Sequence, residues 1–241
     1  MLAAIKAFSH KELFHPTALS MLVNPFYFAR KALYWEIRSL GKHVSGRVLD
    51  VGCGRKPYEN LFNCEEYVGL ELDTLGNRGK NVADLFYDGK YFPVEDASFE
   101  WVLCNQVLEH VFKPDEFLSE INRVLKSEGG LLMTVPFVWD EHEQPYDFAR
   151  YSAFGLKSLL EKHGFIVVEQ RKTLADARIL FQMLNTYIYK VTATKNPFIN
   201  LIICLFLIAP FNILGQTLSW ILPKNKDLYL DNVVLAKKGK S

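Results

Sequence analysis

A repeated pattern of short apolar runs separated by helical segments constrains the fold of this chain more than any other feature. The runs RVLDV, YVGLELD, VADLFYD, FEWVLC, LLMTV and FIVVE are apolar along most of their length, as strands buried on both faces of a sheet are. Amphipathic helices are predicted between them, one from Pro114 to the glycines Gly129-Gly130 and one from Ser152 to about His163. A seventh strand is predicted at 228–238. The sequence therefore predicts an α/β fold with a mainly parallel sheet covered by helices on both faces.

Charge and cysteine usage exclude several classes of protein. Lys and Arg number 28 against 27 Asp and Glu, so the net charge of +1 gives no general attraction to nucleic acid. The cysteines Cys53, Cys64, Cys104 and Cys204 form no CxxC pair, and nearby histidines lack metal-ligand spacing. We expect a cytoplasmic chain with no metal site, no disulfides and no nucleic-acid partner. Charged residues interrupt residues 1–10 too early for a signal peptide.

The pattern divides the chain into four segments. Residues 1–45 are predicted to be an N-terminal helical segment, with its clearest helix at 26–40 and a stop at Gly41. Residues 46–171 hold the alternating strands and helices, residues 172–226 form a helical apolar insertion, and residues 227–241 hold the last strand and a tail. A further helix is predicted at 174–191 within the insertion.

Polar and flexible residues collect where the first three strands end. Asp50, Gly52 and Gly54 follow the first strand, where glycines allow a sharp turn and a close approach of backbone amides to a ligand. Glu71 ends the second strand about 20 residues later, a position where a carboxylate accepts hydrogen bonds from ribose hydroxyls. Asp88 follows the third strand. Because ligands bind at the carboxyl edge of such sheets, these residues predict a nucleotide-type site.

The segments VLDVGCG, YVGLE, YFPVEDASFEWVLCNQVLEHV and FLSEINRVLKSEGGLLMTVPF resemble the class I S-adenosylmethionine-dependent methyltransferases, over residues 47 to about 170. The resemblance implies a Rossmann-like sheet of seven strands with an antiparallel last strand. It also implies S-adenosyl-L-methionine as cofactor, a methionine pocket shaped by Asp50, Gly52 and Gly54, and Glu71 on the ribose. Asp88 would face the adenine, with Asp84 as its rival, and Asn105 would lie near the methionine moiety. Arg55 and Lys56 stand where the family often has a third glycine.

Oxygen methylation is the predicted reaction of this domain. No NPPY-type sequence follows the fourth strand, so the usual pocket for amino-group acceptors is missing, and Cys104 lacks the preceding proline of a covalent mechanism. A hydroxyl acceptor needs a general base, and His142 is the first candidate because neutral imidazole is available near pH 7. His110 in LEHV is the second candidate. The alternative for His142 is that it braces the loop together with Asp147 and Arg150. The alternative for His110 is that it is a helix-start residue that bonds the loop.

The loop PFVWDEHEQPYDFARY at 136–151 is the predicted acceptor site, because specificity tends to lie in long polar-aromatic loops at this edge. Its HExPxDxxRY pattern resembles methyltransferases of bacterial surface-polysaccharide pathways, which implies a glycan, sugar nucleotide or lipid-linked sugar as acceptor. The predicted acceptor-binding residues are Trp139, Glu143, Tyr146, Asp147, Arg150 and Tyr151.

An uncharged apolar stretch at 198–222 is long enough to cross a bilayer. A single crossing would place the last strand on the wrong side of the membrane, so we expect the stretch not to span. Pro210 predicts a break into two short arms, a hairpin that dips into one leaflet on the cytoplasmic side of an inner membrane. A buried helical pair and a dimer interface are the alternatives.

Two other functions fit parts of the pattern. A catalytically idle domain of the same fold could act as a membrane-associated binding or assembly partner, although the acidic residues at the strand ends favour cofactor binding. A nicotinamide-dependent oxidoreductase would share the sheet. The missing third glycine and the VLEHV run speak against it.

Overall fold

The computed structural model describes residues 12–80 and 82–240, so the signal-peptide prediction for residues 1–10 lies outside the described residues. The chain forms two compact units. One comprises residues 36–171 and 231–241, and the other comprises residues 1–35 and 172–230. The predicted N-terminal segment and the predicted insertion therefore fall largely within the same unit.

The first unit contains a seven-stranded sheet in the order β3-β2-β1-β4-β5-β7-β6. Strands β1 to β5 pair in parallel, and β7 pairs antiparallel with β5. This confirms the predicted Rossmann-like fold with an antiparallel last strand. The strands are β1 (Arg47–Val51), β2 (Glu66–Leu72), β3 (Leu85–Tyr87), β4 (Phe99–Asn105), β5 (Leu125–Pro136), β6 (Phe165–Lys172) and β7 (Asp231–Lys238).

Side chains alternate between the two faces of the central strands. Leu49 and Val51 of β1 join a buried cluster with apolar residues of two helices, among them Phe117 and Leu156. The opposite face of β1 carries Asp50, so Leu49 and Val51 face the core and Asp50 faces a small pocket on the other side of the sheet. The helices of this unit are α3 (Leu75–Lys80), α4 (Pro114–Val124) and α5 (Ala153–Lys162), and the Ser152 hydroxyl caps the last by accepting from the Gly155 amide at 3.2 Å.

The second unit is helical. Its described helices are α1 (Ser20–Val23), α2 (Tyr27–Leu40), which continues to Leu40 in the first unit, α6 (Arg178–Thr192), and one long helix of 25 residues over Pro197–Ile221. The long helix consists of α7 (Pro197–Ile203), a π-helical turn over Cys204–Ile208, and α8 (Ala209–Ile221). Asn212 fixes it to its neighbours, accepting from Asn185 Nδ2 at 2.8 Å and donating to the Met21 carbonyl at 2.8 Å.

The structure corrects the predicted hairpin at Pro210. Ile208 and Ala209 keep right-handed helical dihedrals, so the helix runs through the proline without a turn. Proline lacks a backbone N–H and disrupts the ordinary i to i−4 ladder, and π-helical bonding in the preceding turn lets the helix absorb that defect.

Several predicted boundaries also move. Helix α4 ends at Val124 rather than at Gly129-Gly130, because β5 already begins at Leu125. In that strand Gly130 faces the Trp101 ring, which occupies the space a side chain would need. Helix α6 begins at Arg178, strand β3 covers only Leu85–Tyr87, and β7 begins at Asp231.

A pair of glycine substitutions tests this packing. A Cβ on Gly130 would lie 2.4 Å from the Trp101 ring, so Gly130→Ala should destabilise the fold by about 1–3 kcal/mol through overpacking. The matched change Gly79→Ala, where no atom lies within 4 Å of the added Cβ, should be neutral or stabilise by up to about 1 kcal/mol. Urea unfolding measures both, and equal stabilities for the two variants would contradict the packing described here.

Candidate functional site

The turn after β1 is built on two glycines with left-handed dihedrals. Gly52 has φ of 71° and Gly54 has φ of 56°, a region that residues with a Cβ rarely adopt. A Cβ on Gly52 would lie 2.4 Å from Cγ2 of Val107, so the segment after β4 packs directly on this turn. Lys56 follows with φ of 51°, so the chain completes the turn without the third glycine of the family pattern.

Glu71, near the end of β2, holds this turn in place. Its buried carboxylate accepts from the Gly54 amide at 2.6 Å and from Asn77 Nδ2 at 3.0 Å. The structure thus brings together Gly54 and Glu71, the loop and the strand-end acid that the sequence assigned to one site.

Asp50 faces a pocket on the opposite side of the sheet from the core. Its carboxylate accepts from the Tyr67 hydroxyl at 2.7 Å, and burial raises the pKa of Asp50 to about 7. Asn105 lies at the end of β4 and accepts from the Thr134 hydroxyl at 2.5 Å. The pocket is lined by Ile37, Asp50, Tyr58, Phe62, Tyr67, Leu103, Asn105, Leu132 and Thr134.

The two acids considered for the adenine have different positions. Asp88 follows β3 and is exposed, and its carboxylate accepts from the backbone amides of Lys90 and Tyr91 at 2.9 and 3.1 Å. These bonds hold the pKa of Asp88 below its usual value. Asp84 precedes β3 and binds Lys56 at 2.5 Å and the Gly69 amide at 2.7 Å. The carboxylate of Asp84 is therefore already paired within the protein. Asp88 is the acid that directly follows β3.

The loop after β5 places His142 against His110. Their ring centroids lie 4.7 Å apart in an edge-to-face arrangement. Nδ1 of His142 lies 3.2 Å from the Asp140 carbonyl oxygen, and burial, followed by the nearby His110, lowers the pKa of His142 below its usual value. Both candidate bases of the sequence analysis thus lie in one cluster, and the lowered pKa of His142 favours its neutral form.

Asp147 and Arg150 brace this loop. The guanidinium donates to both carboxylate oxygens of Asp147, at 2.6 and 2.7 Å, and also to the Asp140 carbonyl at 2.9 Å. Asp147 accepts from the His142 amide at 3.0 Å as well. These contacts within the loop agree with the bracing alternative, and acceptor binding by Asp147 and Arg150 stays a prediction. Tyr151 is half-buried against the core, whereas acceptor contact stays a prediction for Trp139, Glu143 and Tyr146.

Glu109 was missed by the sequence analysis. It sits beside His110 with its side chain fully buried, and within the described residues neither carboxylate oxygen has a hydrogen-bond partner. Burial raises the pKa of Glu109 to about 8. Glu109 belongs to the LEHV motif, but the sequence of the motif does not show that its carboxylate is buried without a hydrogen bond.

Comparison with known proteins finds similarity to methyltransferases. Residues 49–133 match the family described as "Methyltransferase domain". The chain is 33% identical over 127 residues, half of its length, to an uncharacterised protein of Methanocaldococcus jannaschii. It is 29% identical over 163 residues, 59% of its length, to a Mycolicibacterium smegmatis protein named "Probable S-adenosylmethionine-dependent methyltransferase". A fatty-acid O-methyltransferase of M. smegmatis is 35% identical over 100 residues, 36% of the chain.

The chain spans 54%, 60% and 36% of the lengths of these three relatives. Solved structures share the fold at low sequence identity. The [4+2]-cyclase SpnF aligns with a TM-score of 0.59 at 16% identity, covering 99% of this chain and 97% of SpnF. Phosphoethanolamine N-methyltransferase 2 of Haemonchus contortus, solved with S-adenosyl-L-methionine, aligns with a TM-score of 0.56 at 17% identity, covering 98% and 60% of the two chains.

Residues 49–133 therefore match a methyltransferase domain, and relatives named as S-adenosylmethionine-dependent methyltransferases support S-adenosyl-L-methionine as its cofactor. The residues present suit that cofactor. The glycine turn exposes backbone next to a strand-end carboxylate, and the carboxylate of Asp50, just before the turn, has the charge that pairs with a cationic amino-acid group.

The pKa of Asp50 predicts how cofactor affinity depends on pH. An ammonium group binds the ionised carboxylate, whose fraction rises about fivefold between pH 6 and pH 7. Affinity for S-adenosyl-L-methionine should therefore rise about fivefold over that range, below the pH at which an α-amino group loses its own proton. Calorimetric titration measures it. Asp50→Asn should weaken binding and flatten the profile, while Asp96→Asn, a matched change at an exposed acid paired with Arg123, should leave it unchanged. A wild-type affinity that does not change with pH would show that Asp50 does not bind the ammonium group of the cofactor.

Proposed function

We propose that the chain transfers the methyl group of S-adenosyl-L-methionine to a hydroxyl oxygen of a sugar or lipid-linked glycan. The observation that carries this proposal is the His142 imidazole, which is braced in a polar-aromatic loop at the carboxyl edge of the sheet. A hydroxyl attacks a sulfonium methyl group efficiently only when its proton is accepted, and a positioned imidazole is a suitable acceptor.

His142 is held in the tautomer that this role needs. The Nδ1 proton is donated to the Asp140 carbonyl at 3.2 Å, with the Asp147 carboxylate 3.3 Å from the same nitrogen. Nε2 is therefore the unprotonated nitrogen, and the Asp147 carboxylate stabilises the ring once it accepts a proton. The cofactor supplies an activated methyl group, and the chain positions the acceptor and takes up its proton.

The composition of the loop supports a polyol acceptor. Trp139, Glu143 and Tyr146 offer aromatic faces and a carboxylate, which suit the apolar faces and hydroxyl groups of a sugar. The partial similarity to a fatty-acid O-methyltransferase supports transfer to oxygen. A lipid-linked glycan would combine a sugar hydroxyl with an apolar carrier.

Replacing His142 tests its role. His142→Ala should lower kcat by about 10²- to 10⁴-fold, the usual contribution of a general base, while the Kd for S-adenosyl-L-methionine stays within about twofold. His43→Ala removes an exposed imidazole from a turn outside the loop and is the matched control. Methyl transfer from labelled cofactor to glycan acceptors measures kcat. An activity of His142→Ala within a few-fold of wild type would exclude the role.

The helical unit carries a broad apolar surface that supports membrane attachment. The long helix has a mean hydropathy of 2.3 over its most apolar 18 residues, of which only 33% are buried. On α6, Leu180, Leu184, Tyr187 and Val191 recur along one exposed face at helical spacing. Exposed apolar side chains of the long helix are Phe198, Ile199, Ile202, Leu205, Phe206, Leu207, Ile213, Leu214, Trp220 and Ile221.

We propose that this unit lies in the interface of the cytoplasmic leaflet, which also places the domain in the cytoplasm. Strands β6 and β7 before and after the insertion are neighbours in one sheet, which excludes a single crossing. Lys190 and Lys195 precede the long helix and Lys224 and Lys226 follow it, so basic side chains stand at both of its ends. This suits a helix lying in the plane of the membrane, with lysines reaching the headgroups.

Flotation with vesicles of phosphatidylethanolamine and phosphatidylglycerol tests the attachment. The wild-type chain should float, and Phe206→Ser with Trp220→Ser should reduce the bound fraction at least about tenfold, because both side chains are mostly exposed and apolar. The matched pair Tyr91→Ser with Phe154→Ser alters equally exposed rings of the other unit and should float like wild type. A wild-type chain that stays with the soluble fraction would refute attachment.

A further inference from the structure

We propose that Glu109, His110 and His142 form a binding site for a divalent transition-metal ion of the zinc type, with one coordination position left open. One ligand atom from each residue lies within 4.8 Å of the others. Nε2 of His110 lies 3.8 Å from Oε1 of Glu109, and the two imidazole rings are in edge-to-face contact. Small side-chain adjustments would bring the three atoms to bonding distance of about 2.0–2.2 Å from a common ion.

Both histidines are held in place through their Nδ1 atoms. Nδ1 of His110 lies 2.6 Å from the Tyr146 carbonyl oxygen, and Nδ1 of His142 lies 3.2 Å from the Asp140 carbonyl oxygen and 3.3 Å from the Asp147 carboxylate. When Nδ1 donates to an oxygen, the other ring nitrogen carries the lone pair that a metal needs. Carbonyl and carboxylate partners of this kind orient the histidine ligands of metal sites.

Glu109 supplies an independent observation that points to a cation. Its side chain is fully buried, and neither carboxylate oxygen accepts a hydrogen bond within the described residues. The nearby Arg150 lowers the pKa of Glu109 but makes no hydrogen bond to it, because its guanidinium donates to Asp147 and to loop carbonyls. An isolated buried carboxylate is costly, whereas a bound cation would pair with its charge.

The donor set selects the class of ion. Two imidazoles and one carboxylate are the ligands of open zinc sites, whereas magnesium and calcium favour sites made of oxygen atoms. The site also adjoins the cofactor turn along the chain, since Val107, two residues before Glu109, packs on Gly52. An ion here would offer its open position to an oxygen ligand at the carboxyl edge.

One consequence rests on the proposed function. With an ion bound, His142 serves as a ligand and its lone pair is no longer available to accept a proton. The acceptor hydroxyl would then bind at the open position, where the ion would lower its pKa so that its proton would pass to solvent water before the oxygen attacks the methyl group. The metal site is tested separately from the proposed function, because ion binding is measured without any methyl acceptor.

Metal titration of the full chain tests the site. After treatment with a chelator and its removal, the wild-type chain should bind one equivalent of Zn²⁺ by calorimetry, and Co²⁺ should give the visible absorption bands of a four-coordinate ion. Glu109→Gln, which preserves size and removes the charge, should weaken Zn²⁺ binding at least about tenfold, as should His142→Ala. Asp147→Asn should weaken it about tenfold by releasing the His142 ring.

His43→Ala is the control for exposed imidazole and should bind Zn²⁺ like wild type. Thermal unfolding of each variant separates loss of the ion from loss of the fold. Zn²⁺ affinities of folded Glu109→Gln and His142→Ala within twofold of wild type would overturn the proposal, as would the absence of Zn²⁺ binding to the wild-type chain. In either case the proposed function would still be supported if methyl transfer depends on His142.

Discussion

The left-handed turn at Gly52 is the constraint on which the rest of the site depends. It follows a strand that is buried from Val48 to Val51, and Val107 occupies the space where a side chain at Gly52 would lie. The turn therefore fixes the position of the segment after β4, which continues into Glu109 and His110. Glu71 holds the other side of the turn through the Gly54 amide. The strand-end acid Glu71 and the segment that leads to the histidine cluster thus both contact the same turn.

Much of the first unit could be predicted from sequence, because buried parallel strands and glycine turns leave strong local signals. The strands containing Asp50, Glu71 and Asn105 were predicted close to their observed positions, as was the serine cap of α5. The end of α4 was not, since the helix stops where the chain must enter β5 beside β4. That requirement comes from sheet pairing and overrides the local helical pattern.

The features that sequence could not reveal depend on contacts between distant residues. Glu109 and His142 are 33 positions apart, so their proximity has no spacing signature, and the missing partner of Glu109 is visible only in three dimensions. The continuous helix through Pro210 depends on a π-helical turn and on the bond between Asn212 and Asn185. The sheet fold is also shared with a cyclase, so reaction type must be argued from side chains at the edge.

A crystal structure of the full chain with S-adenosylhomocysteine is the most direct test of the central claim, that a sulfonium nucleotide binds at the carboxyl edge between the glycine turn and Asp50. This account predicts the amino-acid portion of the ligand beside Asp50 and Asn105, and its ribose hydroxyls on Glu71. Density for the ligand at any other place, or a pocket in which Arg55 and Lys56 exclude it, would contradict the account.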